Sequence, residues 1–186
     1  PYGIKLEIEY MDTKRFSDQE NLDFFYQSLN YKLENGPEYD AIIVGDDAAL
    51  QFALDYQQDL FQDTPVVFFG INDKDRAKAA DKISGMAGGV EETSLQENIR
   101  LAMTLRPEAK KAAAIVDNTL TGQGDQKQFE LACQEIEGIT PILLNVSEGS
   151  FDEFGKKLEA LEPDTVLFLL SMNQDKTGAY LDLDKQ

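Results

Sequence analysis

The chain contains no histidine and only one cysteine, Cys133, among its 186 residues. Without histidine, Ser–His and Cys–His nucleophile pairs and histidine-based zinc sites are excluded. With one cysteine, an intramolecular disulfide is excluded too. No apolar run approaches the roughly 20 residues of a membrane-spanning helix. Cys133 falls on the apolar face of a predicted helix, so we expect it to be a small buried hydrophobic residue.

Basic residues are scarce. The chain has 17 lysines and arginines against 35 aspartates and glutamates, a formal net charge of −18. Nucleic acids and anionic membrane surfaces require clustered positive charge, so we expect neither as a partner. Any membrane attachment is expected from parts of the protein outside this segment. The acidic balance favours solubility and attraction of cationic ligands.

The length of 186 residues suffices for one α/β domain or two small lobes. The chain begins at Pro1 rather than at a methionine, and no signal peptide is present. We interpret the sequence as a segment of a longer protein, so the missing signal peptide gives no information about location.

Two apolar runs, residues 41–44 and 66–70, each end in polar residues and flank an amphipathic segment. Runs this apolar are typical of strands covered on both faces in a parallel sheet. The same alternation continues to the end of the chain, without a hairpin signature, which predicts βαβ units with right-handed crossovers. Further strands are predicted at 4–10, 83–90, 112–116, 141–146 and 165–170.

A helix is predicted after Ser17, which with Glu20 makes a capping-box pattern, and it ends near Asn35. Glycines weaken the strand predicted near residue 90. This stretch divides the alternating strands and helices into two similar halves. We therefore predict an α/β fold of two Rossmann-like lobes with parallel sheets flanked by helices. The N-terminal lobe is expected to span residues 1–92 and the C-terminal lobe residues 93–186.

Ligands of open α/β sheets bind at the carboxyl ends of the strands, so the polar residues that follow the predicted strands are candidate site residues. Asp46 and Asp47 have the chemistry to hold Mg²⁺ or a ligand amine, although capping of the next helix is the expected role of Asp47. Asp73 is a ligand contact or a helix cap. The candidate ligand-binding residues are Asp46, Asp47, Asn72, Asp73, Glu91, Asp117, Asn118, Thr119 and Asn173.

The stretch from Thr121 to Gly124 contains Gly-x-Gly between a strand and a helix, as dinucleotide-binding loops do. Lys127 stands where the third glycine of that pattern belongs, so the pattern does not support a dinucleotide. Backbone amides at this helix start are suited to a carboxylate or another small anion. No nucleophile–base pair, metal-ligand cluster or phosphate loop is present, so we expect neither catalysis nor a cofactor or metal.

Five segments together resemble a known family: residues 9–16, 39–50, 60–73, 88–92 and 112–122. The chain is similar to the substrate-binding-protein-like family of ABC transporters, which has the type I periplasmic-binding fold. The closer resemblance is to extracytoplasmic sensor domains that precede histidine kinase, PAS or diguanylate cyclase modules in bacterial receptors. Relatives have a strand and a helix before the segment that matches Ile4 and continue beyond Gln186. The resemblance therefore implies lobes that lack parts at both ends.

The resemblance implies an extracytoplasmic sensor domain that binds a small organic ligand between two lobes, with the candidate residues above in the cleft. A solute-binding component of an importer is the neighbouring alternative. A receiver-like or flavodoxin-like phospho-acceptor or enzyme domain is the alternative from a different class, because Asp46 and Asp47 follow a strand. The sequence leaves the ligand's identity, and whether the protein is a homodimer, open.

Overall fold

A computed structural model of the chain describes residues 3–180. The chain divides into two compact units, Pro1–Glu38 and Tyr39–Gln186. The lobe boundary predicted at residue 92 lies inside the second unit, between its two sheets.

The first unit contains one helix, α1 (Gln19–Asn35). Asp18 is its N-cap and accepts a hydrogen bond from Asn21 N at 2.9 Å, so the prediction of Ser17 as the cap is wrong by one residue. The strand predicted from Ile4 to Tyr10 is also wrong. Residues 3–38 contain no strand, so the backbone groups of that segment have no ladder to join within the described part of this unit.

The second unit alternates strands and helices, as the sequence predicts. Its first half contains β1 (Ile42–Gly45), α2 (Asp47–Tyr56), β2 (Val66–Ile71), α3 (Lys74–Ala80) and β3 (Met86–Val90). A wider helical turn, Gln57–Phe61, extends α2. Its second half contains α4 (Leu95–Leu105), β4 (Lys111–Val116), α5 (Leu120–Gln134), β5 (Thr140–Asn145), α6 (Phe151–Glu159) and β6 (Thr165–Leu169).

The strands form two parallel three-stranded sheets. The N-sheet has the order β1-β2-β3 and the C-sheet the order β5-β4-β6. The predicted fold class is therefore confirmed: an α/β fold with two parallel sheets flanked by helices, consistent with two Rossmann-like lobes. In each sheet all carboxyl ends lie at one edge, and the predicted site residues follow these ends.

Helices cover both faces of the C-sheet. Residues of α4 and α5, among them Ile99 and Phe129, pack on one face. Phe154 of α6 packs with Ile115 and Leu144 on the other. Because the central strand β4 is covered on both sides, its Ala112–Val116 segment is 0–5% exposed, which explains its uninterrupted apolar sequence.

The N-sheet buries one face of its strands, including Val44, Phe68 and Ile71. The opposite face carries Ile43, Val67 and Phe69, which are exposed, so the expectation that the runs at 41–44 and 66–70 are covered on both faces is wrong for the described chain.

Glycine allows β3 to lie close to β2. A Cβ at Gly88 would overlap the carbonyl oxygen of Phe68, so a larger residue there would push the strands apart. Gly70 has a φ of +65° at the irregularity in the pairing between Phe68 and Ile71. Gly88, one of the glycines that made β3 look weak in the sequence, is thus part of its pairing with β2.

Candidate functional site

The edges of the two sheets meet through the first half of α5. The Thr121 hydroxyl donates to Asp46 Oδ1 at 2.7 Å, and Asn72 Nδ2 donates to Asp125 Oδ1 at 2.6 Å. Each bond joins a residue that follows an N-sheet strand to a residue of α5. We call the residues that make contacts across this boundary the junction: Asp46, Asn72, Thr121, Gly124, Asp125 and Gln128.

Gly124 brings the α5 backbone against the loop that follows β2. A Cβ at this position would lie 3.1 Å from Asp73 N and 3.2 Å from the carbonyl carbon of Asn72. Gln128, one turn further along α5, donates through Nε2 to the carbonyl oxygen of Asn72 at 2.7 Å and accepts from the Thr93 hydroxyl at 2.9 Å. The junction is therefore a close polar contact between the two halves of the second unit.

Asp46 has a backbone conformation that is nearly restricted to glycine. Its φ is +80° and its ψ is 156°. In this region a residue other than glycine has a conformational energy on the order of 1–3 kcal/mol above its preferred conformations. Its carboxylate accepts hydrogen bonds from Asp47 N at 2.6 Å and from Thr121, and its backbone N–H bonds to Phe69 O at 3.1 Å. These contacts hold the strained residue at the end of β1.

Asp47 is buried and fixes the loop that follows β2. Its two oxygens accept hydrogen bonds from the backbone N–H groups of Asn72 and Asp73, both at 3.1 Å, and Arg76 Nη1 lies at 3.4 Å. Burial raises the pKa of this carboxyl, whereas the two backbone N–H groups and Arg76 act in the opposite direction. Asp46 is the N-cap of α2, so the capping role predicted for Asp47 is wrong.

Asn72 and Asp73 have different roles. Asn72 is buried and contacts Asp125 and Gln128 of the junction. Asp73 is the N-cap of α3 and accepts from the backbone N–H groups of Asp75 at 3.0 Å and Arg76 at 3.1 Å. The structure thus gives Asp73 the capping role that the sequence left open against ligand contact.

Asp117 accepts four hydrogen bonds at the end of β4. Oδ1 accepts from Thr119 N at 3.0 Å and Thr119 Oγ1 at 2.5 Å, while Oδ2 accepts from Asn173 N at 3.0 Å and Asn173 Nδ2 at 2.6 Å. Thr119 in turn caps α5 by accepting from Gly122 N. Asp117, Thr119 and Asn173, all predicted site residues, therefore form one structural cluster around the buried Asp117 carboxylate.

Besides Asp47 and Asp73, two more predicted site residues lie outside this cluster and the junction. Glu91 follows β3 with an exposed side chain, and its backbone N–H donates to Ile71 O. Asn118 is exposed on the C-sheet edge, where Oδ1 accepts from Asn145 Nδ2 at 2.7 Å and the backbone N–H donates to Ser147 Oγ at 3.2 Å. Both positions suit the rim of a site better than its centre.

Three residues of this region are not among the candidates identified from the sequence: Asp125, Gln128 and Ser171. Thr121, Asp125 and Gln128 lie at i, i+4 and i+7 of α5, so a polar stripe at the helical period was the available signal. Burial raises the pKa of Asp125; the Asn72 hydrogen bond and the Ser171 hydroxyl lower it, and the negative charges of Asp117 and Asp47 raise it further. Ser171, after β6, is buried beside Asp125.

Within residues 3–180, no group of three or more acidic or cysteine side chains is placed to hold a metal ion. The amides expected to hold an anion at the start of α5 are engaged, since Gly122 N donates to Thr119 Oγ1 and Gln123 N to Thr119 O.

Comparison of the chain with protein-family models found no match, and comparison with curated protein sequences found none either. Over residues 3–180, none of the helices combines the length and the hydropathy needed to cross a bilayer.

Proposed function

We propose that this chain is an extracytoplasmic small-molecule-binding sensor domain of a bacterial membrane receptor, with its ligand bound between the two halves of the second unit. The observation that carries the proposal is the junction, in which side chains after strands of the N-sheet bond directly to α5. Carboxyl edges of parallel sheets are the usual ligand sites of open α/β folds. The sensor assignment itself rests on the resemblance of the sequence to such domains.

The proposed mechanism is a shift between an open and a closed arrangement of the two halves. Contacts across the junction are few and polar, and a ligand that binds both edges would favour the closed form by its differential affinity. The strained backbone of Asp46 supports this view, because such strain persists mainly at functional positions. Movement of one half against the other would then carry the signal to the rest of the receptor.

A solute-binding component of an importer would use the same site and the same closure. The sequence that follows Gln186 in the whole protein distinguishes the two: a membrane helix and a signalling module support the sensor, whereas a stop codon supports the importer component. The receiver-like alternative has less support, because Asp47 is fully buried and occupied by Asn72, Asp73 and Arg76.

The proposal is tested by a thermal-shift screen of amino acids, amines, nucleosides and small carboxylates on the purified chain, followed by calorimetric titration of each compound that stabilises it. A ligand at 100 times its Kd is expected to stabilise the folded state by about 2.7 kcal/mol. For a chain of this size that is roughly a 5–10 °C rise in Tm.

Two variants test whether the ligand binds at the junction. Thr121→Ala removes the hydroxyl that contacts Asp46 and is expected to weaken the ligand, whereas Thr104→Ala removes a hydroxyl that bonds only to Arg100 O on α4 and is the matched control. The proposal fails if no compound gives a saturable shift, or if Thr104→Ala weakens binding as much as Thr121→Ala.

A further inference from the structure

Asp125 is a buried carboxyl that lies between the two halves of the second unit. It belongs to α5 of the second half, is 5% exposed, and accepts a hydrogen bond at 2.6 Å from Asn72 of the first half. One residue earlier on α5, a Cβ at Gly124 would lie 3.1 Å from Asp73 N, so the loop after β2 covers this turn of the helix. Part of the cover over Asp125 therefore comes from the other half, and separation of the halves would expose the carboxyl to water.

Negative charge predominates among the titratable groups around this carboxyl. Four further carboxylates follow the ends of β1, β2 and β4: Asp46, Asp47, Asp73 and Asp117. Arg76 of α3 carries a positive charge in the same region, and its guanidinium is paired with Asp47 and Asp73. Closure of the halves thus places carboxylates of the first half beside those of the second, and like charges in a poorly solvated place repel one another.

The other elements that pack on α5 bring little charge to this place. Lys127 of α5 is paired with Asp75 of α3. On α4, Glu97 is exposed and Arg100 donates to the carbonyl oxygen of Glu135, beyond the end of α5. Strand β5 and residues 170–173 contain no charged residue. The charge of Asp125 itself is therefore an important variable at this contact.

The protonation state of Asp125 is linked to the closure of the halves. Burial raises the pKa of the carboxyl, the hydrogen bonds from Asn72 and Ser171 lower it, and the negative charges of Asp117 and Asp47 raise it again. In an open arrangement water reaches the carboxyl, so its pKa there lies closer to the ordinary value of about 3.9. A proton that binds more tightly to the closed form stabilises that form at low pH, and this advantage is lost as pH rises through the pKa of the closed form.

We propose that the junction is a pH-sensitive switch, in which protonation of Asp125 favours the closed arrangement of the two halves and its ionisation favours the open one. This inference rests on the movement of the halves that is part of the proposed function, but it requires no ligand. Between the pKa values of the open and closed forms, the ratio of closed to open chains is expected to fall by up to about tenfold for each pH unit.

The test measures the distance between two spin labels, one in each half of the second unit, on the whole chain. Lys78→Cys on α3 and Lys156→Cys on α6 place the labels on exposed residues, and Cys133→Ala removes the native thiol. Distances are recorded between about pH 4 and pH 8, the range in which a raised carboxyl pKa changes the closed fraction. About 0.15 M salt is present, so that charges more than about 8 Å apart are largely screened.

The population whose label distance agrees with the structure is the closed form, and it should decrease as pH rises. Asp125→Asn has no proton to lose at this position and should keep the closed population independent of pH. Asp152→Asn removes a carboxylate from an exposed residue of α6 and should retain the wild-type pH profile, which makes it the matched control.

A label distance that does not change with pH in the wild type overturns the inference, and so does a pH-dependent change that Asp125→Asn leaves intact. If Asp125→Asn does not fold, NMR titration of the Asp125 carboxyl carbon decides. Its pKa should fall towards the ordinary value in Gly124→Val, whose side chain would hold the halves apart, and equal pKa values in the two proteins overturn the inference.

The two proposals fail separately. Closure that a compound induces, without any dependence on pH, contradicts the switch and leaves the proposed function in place. Closure that follows pH through Asp125, with no compound of the screen bound, contradicts the proposed function and supports the switch.

Discussion

Replacement of Asp117 by asparagine should destabilise the protein strongly, because this carboxylate joins the end of β4, the start of α5 and the segment after β6. Both of its oxygens accept two hydrogen bonds, from Thr119 and from Asn173. An amide can accept on one side only, so two bonds are lost and two donors face an NH₂ group. At about 1.5 kcal/mol for each bond to a charged acceptor, the loss is about 3 kcal/mol.

The free energy of unfolding is measured by urea denaturation, and thermal melts give the corresponding fall in Tm, roughly 6–12 °C for a chain of this length. Asn173→Ala removes one of the four donors and should cost about half as much. Asp152→Asn, on an exposed residue in the first turn of α6, is the control and should change stability by less than about 0.5 kcal/mol. A loss below about 1 kcal/mol in Asp117→Asn would refute the structural role assigned to this carboxylate.

Three further predictions concern the helices and the junction. Gly122→Ala should destabilise the chain, because the new Cβ would overlap Asp117. Gly155→Ala in α6, where a Cβ meets nothing within 4 Å, should stabilise the chain by about 0.5–1 kcal/mol. Equal changes of the free energy of unfolding in urea denaturation would contradict both predictions. Because burial raises the pKa of Asp125 above the ordinary value of about 3.9, the stabilising effect of its carboxyl is present below that pH and is lost as pH rises through the folded-state pKa. The free energy of unfolding of the wild type should therefore fall relative to that of Asp125→Asn over this range. A difference between the two free energies that does not change with pH would contradict this prediction. Asn72→Ala removes the donor to buried Asp125 and should cost about 1–3 kcal/mol, and a neutral result would mean that the contact across the halves does not form in solution.

Most of the fold of the second unit was predictable because strand and helix periods are local. The apolar runs at 41–44, 66–70 and 112–116 predict strands, and all three are strands, although only the run at 112–116 is covered on both faces. The prediction of a strand at 4–10 was wrong, and the alternating pattern of the segment itself gives no sign of the reason. A strand needs a neighbouring strand, and residues 3–38, the described part of the first unit, offer none.

The candidate site was predictable as a region but not in its roles. Asp46, Asn72 and Asp117 follow strand ends as the sequence predicts, because the carboxyl edge follows from parallel topology. The role of each carboxylate depends on donors far away in the chain: Asp117 on Asn173, and Asp46 on Thr121. The spacing of residues along the sequence does not predict such pairings, and for the same reason Ser171 and Asp125 were not identified from the sequence.

The role of Asp117 also changes how ligand binding should be tested. A substitution there removes a structural cluster as well as any contact with ligand, so reduced binding would not distinguish the two effects. Thr121 is a better position, because Thr121→Ala removes one hydroxyl that donates to the Asp46 carboxylate and anchors no group of backbone donors.

The central claim is that a small molecule binds between the two halves of the second unit, and a backbone-amide NMR titration with the best compound of the screen tests it most directly. The account predicts saturable shifts with a single Kd on both sides of the junction, at residues 45–47 and 72–73 and also at 119–125. Shifts confined to one half, or shifts that grow linearly without saturation, would contradict it.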